Sequence, residues 1–355
     1  MKIRTNALAG IALAATAALG LAACGSGNST PAAATSEPSS AAASDKVVTL
    51  YSGRSESLVK PLLEEFTAET GIKVEARYGD TAQMAAQLVE EGDKSPADVF
   101  LAQDAGALGS VANAGLFSGL PESAISAVPE AYRDSEGQWV GVTGRARVLV
   151  YNKDLVPEAE LPKTVQELND AKYSGKVGVA PTNASFQSFV TALRELEGEE
   201  AATEYLTGLT ANDPQIREKN GQIVADVNDG KIPFGLVNHY YLYQLAKEKG
   251  VDPSDLKAAN HIFPDGNVGS LVNVAGAGLV KHAADADGQV LLDFLLSEKG
   301  QTYFAEETNE YPMISGAPSP AGLPALKDIK VPDVDLNKLD DLATTVKMIT
   351  EAGLA

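Results

Sequence analysis

Between residues 47 and 103 the chain switches repeatedly between the strand and helix periods. VVTLYSG (47–53) is an apolar, β-branched run ended by Ser52-Gly53. SESLVKPLLEEFTAETG follows, with Leu58, Leu62 and Phe66 spaced four apart, acidic residues between them and Gly71 as a stop. That spacing predicts a helix capped by Ser57, with Pro61 near its first turn, where a missing N–H does little harm. IKVEARYG (72–79) alternates like a half-buried strand, TAQMAAQLVEEG returns to helical spacing, and ADVFLAQ (97–103) is a continuous apolar strand. A β-α-β-α-β order of this kind predicts a mostly parallel sheet covered by helices.

WVGVTGRARVLVYN (139–152) is the longest strand-like run and is expected to cross from one lobe to another. A second set of units follows: KVGVAPT, a helix around Phe186–Leu196, a helix from Ala201, and VADVNDGKIPFGLVN leading into HYYLYQLAKEKG. GSLVNVAGAGLVKHA (269–283) reads as a strand pair or a return crossing. Two crossings between two α/β lobes make a hinge. The expected partition is 46–145 plus about 270–316 for the first lobe, and about 146–269 plus 317–355 for the second. About 310 folded residues suffice for two lobes at the usual ~100–200 residues per domain.

The N-terminal segment addresses compartment. Lys2 and Arg4 precede an alanine-rich apolar run that closes as Leu21-Ala22-Ala23-Cys24-Gly25. This reads as an export signal over residues 1–23, not as a spanning helix. Small residues before a cysteine resemble the bacterial lipobox, so Cys24 is expected to become a diacylated N-terminus, and two acyl chains suffice for stable anchoring. Cys24 is the only cysteine, which excludes an intramolecular disulfide and a multi-cysteine metal site. The rest of 24–45 has no large apolar residue and reads as a flexible tether. Removing residues 1–23 takes away two basic and no acidic residues, moving the net charge from −20 to −22. Such a surface repels nucleic acid.

Enzymatic chemistry finds no support. The three histidines, His239, His261 and His282, show no HExxH or metal-finger spacing, and no GxSxG elbow, P-loop or GxGxxG follows a strand. Paired acids such as Glu64-Glu65 and Glu90-Glu91 lie on helices with apolar stripes and read as solvated faces. His239 reads as a satisfied or surface histidine. Tyr240 and Tyr241 are different. PFGLVN reads as a strand, Asn238 as an N-cap, and HYYLYQLAKEKG as a helix stopped by Gly250. Adjacent side chains in a first helical turn diverge by about 100°, which lets two phenols converge on one atom at the positive end of a helix. A phenol with a pKa near 10 ionises at neutral pH only beside a strongly charged cation, and ferric iron, hard and oxygen-loving, suits.

YSGRSE (51–56), SPADVFLAQDAGALG (95–109), GRARVLVYN (144–152), APTNASFQ (180–187), VNHYY (237–241), GSLVNVAGAG (269–278) and NEYP (309–312) together resemble the ferric-iron-binding proteins of bacterial ABC importers, over residues 47 to about 315. The resemblance implies an α/β, two-lobed type II periplasmic-binding-protein-like fold. Each lobe would be a mostly parallel sheet flanked by helices, with iron in the interlobe cleft on a tyrosine pair and an anion such as carbonate. It puts Tyr240 and Tyr241 at the iron and makes Tyr51 a candidate third phenolate. Asn238 and Asn220 match positions that contact the anion or support the tyrosines. Asn183, Ala184 and Ser185 match the loop that cradles the anion at a helix start, where some relatives place a tyrosine ligand at Asn183. Ser55 and Gln103 stand where other relatives carry a His and a Glu ligand, so that arrangement is lacking here. Arg54 and Arg145 are candidates to fork the anion, with a surface role for Arg54 or a hinge salt bridge for Arg145 as the structural alternatives. Tyr78, Tyr151 and Tyr311 read as packing residues. The implied protein is a monomeric, lipid-anchored receptor on the extracytoplasmic face of the plasma membrane, serving a permease and its ATPase, and not an enzyme. The alternative is a receptor of the same fold for thiamine, a polyamine or an oxyanion.

Overall fold

The computed structural model describes residues 46–281 and 286–355; the export signal, Cys24, the tether and His282 lie outside the described residues. The first half runs β1 (Val47–Ser52), α1 (Glu56–Thr70), β2 (Lys73–Tyr78), α2 (Thr81–Glu91), β3 (Val99–Ala102), α3 (Ala105–Asn113) and α4 (Glu122–Ala127). Helix α1 buries Val59, Leu62, Leu63 and Phe66 along one stripe and stops at Gly71, whose φ of 73° is left-handed. It begins one residue before the expected Ser57 cap, and Ser55 at the cap position makes no side-chain bond. Pro61 therefore sits inside the helix rather than near its first turn. Burial of the leucines and Phe66 on either side outweighs the one backbone bond it forfeits.

Strand β4 (Trp139–Asn152) is buried along its whole length. Beyond it come β5 (Val177–Val179), α5 (Ala184–Glu197), α6 (Glu199–Ala211), β6 (Gln215–Ile216), α7 (Asn220–Asn228), β7 (Phe234–Asn238), α8 (Tyr240–Lys249) and β8 (Ala258–His261). The chain then returns through β9 (Val272–Leu279), α9 (Asp287–Leu295), α10 (Glu298–Glu307) and β10 (Tyr311–Pro312), and ends in α11 (Leu342–Glu351).

The strands are ordered β2-β1-β3-β9-β4-β7-β5-β6, with β10 and β8 also pairing with β4. Residues 139–146 of β4 pair with β9, and residues 147–151 pair with β7. One strand thus serves both halves, as the crossing expectation required. The pairs β1–β2, β1–β3, β5–β6 and β5–β7 are parallel, whereas β9 runs antiparallel to β3 and β4, and β4 antiparallel to β7. Parallel pairing holds for the helix-connected strands; the crossing strands reverse direction because they carry the chain between halves.

Residues 336–345 touch both halves. Gly106 of α3 faces the Leu339 carbonyl so closely that a Cβ there would lie 2.3 Å from the oxygen. Asn113 at the end of α3 donates to Asp340 at 2.7 Å, and Arg194 of α5 reaches the Asp341 carboxylate at 2.9 Å. No helix of the described residues is long and apolar enough to cross a membrane.

Candidate metal and anion site

Strand β7 delivers the chain directly into α8. Asn238 is the last strand residue, paired with Arg147, so its backbone belongs to the sheet; the cap position falls to His239, which makes no side-chain cap bond. The expectation of Asn238 as N-cap is corrected on that ground. Tyr240 and Tyr241 open the helix with their rings stacked, centroids 4.3 Å apart and planes inclined by 28°. Burial, and then the neighbouring Tyr241, push the Tyr240 phenol well above its ordinary pKa of 10 despite Arg145 and Arg54 nearby. Without a metal it is a neutral phenol.

Across from the pair lie Ser55 and Gln103, which share with Tyr240, Tyr241 and Gln244 an open cleft of about 510 Å³. Gln103 also lines a smaller pocket with Asp104, Arg145, Arg147, Ala184, Ser185 and Asn238. Its free volume of about 10 Å³ is the space of one water, so a polyatomic anion enters only if the walls part. Asn183 caps α5, its Oδ1 accepting from the Ser185 N–H at 3.0 Å and the Ser185 hydroxyl at 2.7 Å. The same hydroxyl accepts from Arg147 at 3.1 Å and from Asn220 Nδ2 at 2.9 Å. Asn183, Ser185 and Asn220 are thus one hydrogen-bonded network at the start of α5, with Ala184 beside it.

The arginines divide. Arg54 is buried, and its Nη2 reaches both oxygens of Glu310 at 2.7 and 2.8 Å. Thr143 donates to the same carboxylate at 2.9 Å. Burial alone would raise the Glu310 carboxyl, but the charges of Arg54 and Arg145 hold it below the usual carboxylate range. A surface role for Arg54 is excluded, and its Nη2 is engaged by Glu310. Arg145 and Arg147 are also buried, yet among the described residues no carboxylate lies within 4.0 Å of either, and both Nε atoms lack a partner. Arg145 makes only a 3.5 Å contact with the Val274 carbonyl; a hinge salt bridge is not formed. Desolvation lowers the Arg147 guanidinium to about 10, which still leaves it cationic at neutral pH. Two buried guanidinium groups thus face the N-terminus of a 14-residue helix without a direct ion pair, Arg145 sharing its field with Glu310 and Asp104.

Tyr51 is not part of it. Its hydroxyl lies 2.9 and 3.0 Å from the two Glu91 oxygens and accepts from Arg77 at 2.7 Å. The pleat of β1 turns it toward α2 and β2, which corrects the third-phenolate expectation. Tyr151 and Tyr311 are buried and Tyr78 half-buried, in line with packing roles.

A family model described as bacterial extracellular solute-binding protein matches residues 94–341. The chain belongs to this family. The Fe(3+)-binding periplasmic protein of Serratia marcescens is 34% identical over 318 residues, 88% of this chain and 92% of its own. The major ferric iron-binding protein of Neisseria meningitidis serogroup B is 31% identical over 315 residues, 86% of this chain and 93% of its own. Iron-bound HitA from Pseudomonas aeruginosa superposes with a TM-score of 0.80 at 33% identity, covering 87% of this chain and 99% of that one. A Trichodesmium protein (IdiA, FutA) in complex with iron and citrate gives 0.77 at 29%, covering 87% and 100%. The fold is accordingly the two-lobed α/β plan of periplasmic binding proteins.

Two residues of this solute-binding protein escaped the sequence reading of its site, and a third was read correctly. Arg147 had a visible signal: in GRARVLVYN, period-two alternation puts Arg145 and Arg147 on one face of an otherwise apolar strand. Glu310 lies in the NEYP stretch, but its role was not visible there, because its partner Arg54 is 256 positions away. His239 was read as satisfied or surface, and it is satisfied. Its buried ring accepts from the Ala146 N–H through Nδ1 at 3.1 Å, so Nε2 carries the proton and donates to the Asn309 carbonyl at 2.7 Å. Burial lowers its pKa to about 4.

Proposed function

We propose that this chain is the extracytoplasmic receptor of an ABC importer, capturing ferric iron on Tyr240 and Tyr241 and delivering it to a permease. The observation that carries the reading is the stacked phenol pair near two buried arginines that make no direct ion pair among the described residues and whose Nε atoms have no partner. Fe³⁺ with two phenolates leaves one positive charge, and Arg145 and Arg147 add two more, which the fields of Glu310 and Asp104 beside Arg145 offset only in part. A carbonate-like dianion between the metal and the arginines would offset most of that charge, where a neutral solute would leave it unscreened in a low dielectric. Ser55, Gln103, Asn183, Ala184, Ser185, Asn220 and Asn238 would shape the anion's surroundings through the hydroxyl-amide network and the α5 terminus. Relatives named for ferric iron support the metal. A lipid anchor at Cys24, the monomeric state and the permease and ATPase partners belong to the same proposal, as does the partition into lobes given from the sequence.

A polyamine is disfavoured because the buried cations repel it. A bare oxyanion is the one competing ligand with structural support, from the same arginines. Loading separates the two. Ferric citrate added to the purified protein in bicarbonate buffer should give a stoichiometric, coloured complex by phenolate-to-iron charge transfer. Acid should bleach it, because protons compete with iron for the phenolate oxygens and the lost affinity returns as pH rises. Tight binding of bicarbonate or phosphate without metal, and no colour with it, would instead establish the oxyanion reading.

A further inference from the structure

The ring of His239 sits between three segments that meet only in the folded protein. Its Nδ1 accepts from Ala146 of β4, and Nε2–H donates to the carbonyl of Asn309, 70 positions further along the chain. Its ring centroid lies 4.9 Å from that of Tyr311, the planes inclined by 39°, and 5.9 Å from that of Tyr240, whose ring is nearly perpendicular to it. Asn309 is one of four non-glycine described residues with positive φ, at 56°. That left-handed turn lies between α10 and β10, with Glu310 beyond it bonded to Arg54 and Thr143. A short segment from the far half of the sheet therefore holds the start of α8 on one side and the buried Arg54 on the other.

We propose that His239 is a positioning residue for the Tyr240 phenol, transmitting the placement of the 309–311 segment to the first turn of α8 through its Nε2–H bond to the Asn309 carbonyl. The inference rests on the ferric reading of Tyr240 and Tyr241. A β7–α8 junction without a side-chain cap has no local device to fix the azimuth of its first helical residue. His239 supplies one from outside the helix: two directed bonds fix the imidazole, which packs nearly at right angles against the Tyr240 ring. A phenolate ligand a few tenths of an ångström out of place gives weaker overlap with the metal and a faster off-rate, with the fold intact.

Glutamine places an amide nitrogen where His Nε2 stands, and asparagine places an amide oxygen where Nδ1 stands. His239→Gln therefore keeps the Asn309 bond and loses the Ala146 bond, and His239→Asn does the reverse. The ferric charge-transfer band and the iron release rate to a chelator are read for both, beside the thermal midpoint of the apo form. His239→Asn is expected to shift the band and speed release about tenfold or more, with His239→Gln close to wild type even if both lower the midpoint equally. Asn309→Ala, which resists the left-handed turn, should move the band in the same direction, and Asn309→Gly, which accepts the turn, by less. A coloured wild type whose two histidine variants share its band and release rate overturns this inference alone. A wild type that never colours overturns the ferric reading and this inference with it.

Discussion

Arg54 and Arg145 carry the same charge and are both buried, yet their neighbours give them opposite duties. Arg54 is paired directly with Glu310 at 2.7 Å, whereas Arg145 makes no direct ion pair among the described residues and feels Glu310 and Asp104 only through their fields. Arg54→Ala strands a buried carboxylate and should cost roughly 3–5 kcal/mol of apo stability by urea unfolding. Arg54→Met combined with Glu310→Leu should cost less than that single change, since neither charge is then left alone. Arg145→Ala, which breaks no direct ion pair, should cost the apo fold less than Arg54→Ala and weaken iron binding more in bicarbonate than without it; equal weakening in both buffers would remove its anion role. At this scale the sequence was half legible. The tyrosine pair could be read because two adjacent residues carry it at a helix start. Tyr51 was misplaced because VVTLYS is apolar almost throughout, and such a run does not reveal which face a residue takes. The Arg54–Glu310 pair joins chain segments that no local pattern connects.

Helices and strands were more legible, since each rests on a period of a dozen residues or fewer. The β-α-β-α-β opening, the long β4 and the β7–α8 junction all form where periodicity placed them. Boundaries moved where tertiary pairing competes with local preference: Asn238 went to the sheet, and α1 extended past Ser57. The docking of the C-terminal segment on α3 had no local signal. Its test is Gly106→Ala. In a free helix that change would stabilise by about 1 kcal/mol. Here the added Cβ meets the Leu339 carbonyl at 2.3 Å, a backbone atom that cannot rotate away. Overpacking should win, with a net loss of about 1–3 kcal/mol in urea unfolding; a stabilised variant would show that residues 336–340 are not held against α3.

For the whole molecule, the decisive arrangement is that the cleft draws Ser55 and Gln103 from the first half and the tyrosines from the second, with β4 passing through both. A ligand touching both halves favours the state in which they meet. Iron with an anion should therefore give a smaller radius of gyration by small-angle scattering than the protein without them, and an unchanged radius would argue against a hinge. The two-half plan was readable from two sets of alternating elements joined by one long strand; the antiparallel direction of β9 was not, because direction depends on a return path that periodicity does not encode. The central claim, that the phenol pair holds the metal, is tested most directly by titrating ferric citrate into the wild type, Tyr240→Phe, Tyr241→Phe and Tyr243→Phe in bicarbonate buffer. Phenylalanine keeps the ring and removes the oxygen, so each fold should change by less than about 1.5 kcal/mol. Colour and affinity should fall by orders of magnitude in the Tyr240 and Tyr241 variants and persist in Tyr243→Phe, whose ring lies against Gly322 outside the pair. Unchanged colour and affinity in both Tyr240→Phe and Tyr241→Phe would contradict the account and leave the pair as packing alone.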